Sequence, residues 1–181
     1  MKPFDVPTRS QVSAENQAIF DKLQAGLGFV PNLYATIAYS NNALSSYLQL
    51  QQAKSSLNKR EKEVINLVVS QVNGCNYCLA AHTTLGKLNG FTDDQILEIR
   101  GGSASFNPKY DALVRLTQAI AQQRGHLNND SVLDAFYAAG YTHESLVDVV
   151  VAIADKIIMN YLHNLTNIPI DFPAAPELAT V

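Results

Sequence analysis

The chain has 181 residues, enough for one domain with a substantial core. Hydrophobic residues make up 47% and charged residues 16%, which excludes intrinsic disorder, and a formal charge of −3 with no basic block argues against nucleic-acid binding. Met1-Lys2-Pro3-Phe4-Asp5 lacks the apolar core of an export signal. The most apolar run, Leu146 to Met159, is broken by Asp148, Asp155 and Lys156 and is too short to span a membrane. A cytoplasmic location is therefore expected, and in a reducing cytosol a C-x-x-C pair is more often catalytic than structural.

Residues 1–12 read as an arm with prolines at 3 and 7. Ser13 caps a helix to about Leu27, with Ile19, Phe20, Leu23 and Leu27 on one face. Gly28-Phe29-Val30-Pro31-Asn32 is a turn into a second helix through Tyr39, and a third runs from Asn42 to Ser56. Asn58-Lys59-Arg60-Glu61 is a capping box opening a nearly all-apolar, hence buried, helix to Val72. Asn73-Gly74 is a turn, and a helix follows it to Leu88, where Asn89-Gly90 stops it. Thr92 to Gln95 is another capping box, on a short helix ended by Gly101-Gly102. Asn107-Pro108 starts a helix to about Arg124, and Asn129-Asp130-Ser131 a shorter one to Ala139-Gly140. Thr142 caps the last long helix, Glu144 to about Leu165, and residues 167–181, with three prolines, form an extended tail. No stretch alternates with period two for long enough to build a sheet. The expected architecture is a single all-α helical bundle.

The chemistry concentrates in Gly74-Cys75-Asn76-Tyr77-Cys78-Leu79-Ala80-Ala81-His82, which holds both cysteines. At about 100° per residue, Cys75, Cys78 and His82 fall on one helix face. Cysteines at i and i+3 have Cα atoms about 5–6 Å apart, within disulfide range. The unpaired N–H groups of a helix start favour a thiolate, and His82 lies one turn beyond Cys78 to exchange its proton. One thiolate with a lowered pKa is expected. Two inert buried cysteines, or three of the ligands of a zinc site, are the alternatives, although no second Cys/His pair with ligand spacing follows. If Asn73-Gly74 joins an antiparallel hairpin, Glu63 lies about 15 Å and His82 about 12 Å from the turn, nearly level. A carboxylate there holds the imidazole in one tautomer and relays its proton; the alternative is a solvated glutamate in the first turns of a helix. Tyr34, Tyr39, Tyr47 and Phe29 are candidates for a pocket lining or for ordinary core packing. His126, His143 and His163 carry less.

Glu63 with Cys75-Asn76-Tyr77-Cys78 and His82 resembles the E…C-x-x-C-x-x-x-H pattern of AhpD-like alkylhydroperoxidases, in the carboxymuconolactone decarboxylase superfamily. The Phe29-Val30-Pro31-Asn32 turn and the Pro169-Ile170-Asp171-Phe172-Pro173 tail extend the likeness to its peroxidase-related branch. The resemblance implies an all-helical homo-oligomer, a dimer or hexamer, that reduces hydroperoxides without a cofactor or metal. Cys78 would attack the peroxide, Cys75 would resolve the sulfenic acid as a disulfide, and His82 with Glu63 would relay the proton. An external dithiol, thioredoxin-like or lipoyl, would return the electrons. Tyr77 stands where the well-studied peroxidase has histidine, and a phenol donates a hydrogen bond but shuttles protons poorly at neutral pH. The alternative function is a helical redox-sensing or binding module that uses the same dithiol without turnover.

Overall fold

The structure, a computed structural model, describes residues 4–178; the outermost residues of the expected arm and tail lie outside that range. The described residues form nine α-helices, one 3-10 turn and no β-strand, so the all-α expectation holds. They fall into two compact units, residues 4–54 with Leu162–Asp171, and Ser55–Tyr161 with 172–178.

The first unit contains α1 (Ala14–Leu27), α2 (Asn32–Ile37) and α3 (Ala43–Gln52). Ser13 Oγ accepts the Asn16 N–H at 3.3 Å and caps α1, and Gly28, at φ +84°, ends it. Of the apolar face expected on α1, only Phe20 is buried; Leu27 is 55% exposed. Part of the arm is ordered as a 3-10 turn, Arg9–Gln11, tied to α1 by two Arg9–Asp21 hydrogen bonds of 2.8 Å. α2 ends earlier than Tyr39 because the N–H groups of Tyr39 and Ser40 turn to carbonyls three residues back. The Asn32 N–H donates to Asp171 Oδ2 at 2.7 Å, so the turn and the tail singled out in the sequence meet here. Tyr34 Oη donates to Gln51, and Gln51 donates to Tyr47 Oη, while Tyr39 is 53% exposed; these tyrosines pack and hydrogen-bond.

The second unit holds α4 (Lys59–Val72), α5 (Asn76–Leu88), α6 (Asp93–Arg100), α7 (Pro108–Gln123), α8 (Ser131–Ala138) and α9 (His143–Thr166) through Tyr161. Both expected capping boxes form, at Asn58/Glu61 and Thr92/Gln95, and Asn107 caps α7 with Pro108 at its first position. α3 stops short of Ser56 because the Ser56 N–H and hydroxyl donate to Asp148 Oδ2, at 2.6 and 2.7 Å. α4 is the central helix: Val64, Ile65, Leu67 and Val69 are fully buried in a core with Ile96, Ile99, Leu113, Leu116 and Phe136. α9 closes this core with Val149 and Ile153, and the same inner face continues as Lys156 and Asn160, both buried. No helix among the described residues is long and apolar enough to cross a membrane.

Candidate active site

The site begins with the turn between α4 and α5. The Cys75 N–H donates to Ser70 O at 3.0 Å and the Gly74 N–H to Gln71 O at 3.2 Å, which closes α4 as a Schellman motif. That motif needs a left-handed residue, and Gly74 supplies it at φ +61°. Cys75 is at once the residue that ends α4 and the N-cap of α5: its Sγ accepts the Cys78 N–H at 3.4 Å. Cys75 therefore stands just outside the helix while Cys78 is in its first turn. Neither is in a disulfide, and they are 0% and 2% exposed.

The hairpin brings Glu63 to His82. His82 Nδ1 lies 2.8 Å from Glu63 Oε2, and both side chains are about nine-tenths buried. The Asn66 amide reaches the other Glu63 oxygen at 3.5 Å. Burial alone would raise the Glu63 carboxyl, but His82, its hydrogen bond and the Lys156 ammonium outweigh it, and the carboxyl lies below its ordinary value. For His82, burial first and Lys156 second outweigh the opposing pull of Glu63 and Asp155, so its pKa falls. The pair is therefore carboxylate and neutral imidazole. A carboxylate has no proton to give, so Nδ1 carries the hydrogen and Nε2 is left as the base on the helix that bears the cysteines.

Cys78 departs from the expected lowered pKa. Cys78 is pushed well above the ordinary thiol range, first by its hydrogen bond to Cys75 and then by burial. The N-terminal N–H of α5 goes to Cys75 rather than to Cys78, so the expected stabilisation falls on the other sulfur. Opposing the rise at Cys78 are Lys156 and an Asn160 hydrogen bond. Neither α9 residue was among the sequence-derived site residues. The available signal was a lysine inside the most apolar run of the chain, followed one turn later by an asparagine just past its end.

Tyr77 is buried, its ring edge-on to Phe172 with centroids 5.7 Å apart. A groove of about 390 Å³, lined by Thr83, Thr84, Lys87, Leu88, Pro173, Ala174 and Pro176, runs beside α5 beyond His82 and includes neither sulfur. Among the described residues no group of three or more His, Cys, Asp or Glu side chains is arranged to hold a metal ion. His126 and His143 are exposed, and His163 lies buried in the first unit.

The carboxymuconolactone decarboxylase family profile matches residues 40–119, a span that includes Glu63, both cysteines and His82. Over that span, somewhat less than half of its length, the chain is similar to this family. An uncharacterized protein of Bacillus subtilis (strain 168), YdfG, is 26% identical over 125 residues, covering 66% of this chain and 82% of that protein. The fold is similar to that of an AhpD-core, peroxidase-related protein from Ralstonia eutropha JMP134, with a TM-score of 0.82 and 20% identity over 93% of this chain and 91% of the other. It is also similar to the debrominase Bmp8, seen in complex with 2,3,4-tribromopyrrole, with a TM-score of 0.75 and 16% identity over 94% and 92% of the two chains. Proteins with this fold thus include ones described as peroxidase-related and as a debrominase.

Proposed function

We propose that this protein is a thiol-dependent peroxidase that reduces alkyl hydroperoxides through Cys75 and Cys78. The observation that carries the reading is the 2.8 Å contact of His82 with Glu63, which leaves a neutral, oriented imidazole on the helix that the cysteine pair opens. His82 Nε2 takes a proton from the dithiol, so that Cys78 attacks as a thiolate with Cys75 still protonated. Cys78 Sγ bonds to the terminal peroxide oxygen, the O–O bond breaks, and the departing alkoxide takes the Cys75 proton to leave as the alcohol. The Cys75 thiolate then attacks the Cys78 sulfenic acid. A disulfide forms, and the expelled hydroxide takes back the proton from His82 and leaves as water. Two thiols are oxidised and one peroxide is reduced. An external dithiol of thioredoxin-like or lipoyl type closes the cycle. Val147, Val150, Val151, Ile158 and Tyr161 form an exposed apolar row on α9 that supports assembly with further copies of this chain as a dimer or hexamer.

Peroxide consumption with dithiothreitol as reductant tests the reading. The parent protein should turn over, Cys78→Ser should not, and Cys75→Ser, reduced and then freed of dithiothreitol, should consume one equivalent and stop as the sulfenic acid. Full turnover by Cys78→Ser would overturn the mechanism, and a single oxidation of the parent protein without cycling would establish the redox-sensing module instead. Tribromopyrrole in the same assay asks whether the dithiol reduces a carbon–bromine bond.

A further inference from the structure

The buried end of α9 carries polar groups that packing does not require. Along its inner face Val149 and Ile153 fill the core, yet the next two positions are Lys156, 3% exposed, and Asn160, 0% exposed. A buried ammonium is costly unless an anion faces it. The groups on which Lys156 acts are Glu63 on α4 and Cys78 and His82 on α5; Asp155, beside it on α9, also acts on His82. Asn160 is fixed by the α4–α5 turn itself. Its Oδ1 accepts from Asn73 Nδ2 at 3.0 Å, and its Nδ2 donates to Ser70 Oγ at 3.3 Å. The second hydrogen on that nitrogen is the one that serves the Cys78 sulfur.

We propose that Lys156 and Asn160 are positioning residues that decide which sulfur carries the negative charge, drawing it from Cys75 onto Cys78. The inference rests on the thiol reading above. When the dithiol has lost one proton, the other is shared between two arrangements. In one, Cys78 keeps it and donates to Cys75, whose sulfur already receives the Cys78 backbone N–H. In the other, the proton sits on Cys75 and the charge on Cys78, where Lys156 and the Asn160 amide meet it. Only an S–H bond changes partner, and no electrons move. Without the α9 groups the first arrangement prevails and the N-cap sulfur is the nucleophile. With them the second becomes accessible, leaving Cys75 with the proton that the departing alkoxide needs. A buried cation also keeps His82 neutral, so it remains an acceptor.

The test is competitive labelling of the reduced protein with substoichiometric iodoacetamide, followed by mass spectrometry of the Cys75 and Cys78 adducts across pH 6–11. In Lys156→Met the Cys78-to-Cys75 labelling ratio should fall by about tenfold or more, and the pH midpoint of Cys78 labelling should rise by about one unit or more. Lys156→Arg should restore both. An unchanged ratio in a folded Lys156→Met protein, judged by circular dichroism, would overturn the proposal. If that variant does not fold, Asn160→Ser replaces it, with the same direction expected and the same refuting result. Labelling reads the thiols without peroxide. A shifted ratio in a protein that does not turn over peroxide would therefore sink the peroxidase reading and leave this one standing.

Discussion

Stability should fall on mild acidification, and His82 should be the reason. Its imidazole is 7% exposed and held neutral by burial and by Lys156, with a folded-state pKa below the ordinary value of 6.5. Below that value the unfolded chain binds a proton that the folded chain does not. The unfolded state then gains on the native one by up to about 1.4 kcal/mol per pH unit, until the folded pKa is reached. Glu63 acts with the same sign in a lower window, because its folded pKa lies below its ordinary value of 4.5. His82→Gln removes the first contribution. Urea unfolding of parent and variant at pH 7.5, 6.5 and 5.5 isolates it by difference, since contributions from the other histidines cancel. Between pH 6.5 and 5.5 the parent should lose about 1 kcal/mol more than the variant. If loss of the His82 partner raises Glu63 in the variant, the difference grows in the same direction. A difference independent of pH, or a parent protein that gains stability on acidification, would refute the neutral-imidazole assignment.

Glu63→Gln keeps an oxygen for Nδ1 but removes the charge, so peroxide turnover should fall by about tenfold or more, with an altered kcat–pH profile. Gly74→Ala meets no atom within 4 Å and tests conformation alone: at φ +61° it should cost about 1–2 kcal/mol, read as a lower Tm. Asn58→Ala removes the acceptor for the Glu61 N–H and should cost about 1 kcal/mol in urea unfolding. Val151→Glu, at a position 40% exposed on the apolar row of α9, should shift the mass measured by light scattering toward the single chain while leaving the helical signal intact.

Helix starts were legible because capping is local: Asn58, Thr92, Asn107 and Thr142 each act within three residues of the helix they open. The Glu63–His82 meeting was legible for a related reason. A tight turn makes positions on two consecutive helices level, and rise per residue is then enough to pair them. The ends of α2 and α3 were not, since 3-10 bonding and the Ser56–Asp148 contact decide them. The placement of Cys75 outside α5 hinged on one residue of register, and that residue moved the N-terminal N–H from the expected sulfur to its neighbour. Lys156 and Asn160 lie far along the chain from Cys78. Their spacing within α9 says that they share a face, but only packing says what that face covers.

If the proposed peroxidase cycle operates, burial of the two sulfurs constrains its reducing half. A linear exchange needs the incoming thiolate, the attacked sulfur and the departing sulfur in line. Exposures of 0% and 2% leave a bulky donor no straight approach to either atom. In that cycle regeneration would include a loosening of the first turn of α5 or of the tail at Phe172, against which the ring of Tyr77 packs. Cycling speed is thereby coupled to how often that seam parts, so that tightening it would slow recharging even with the most reducing donor.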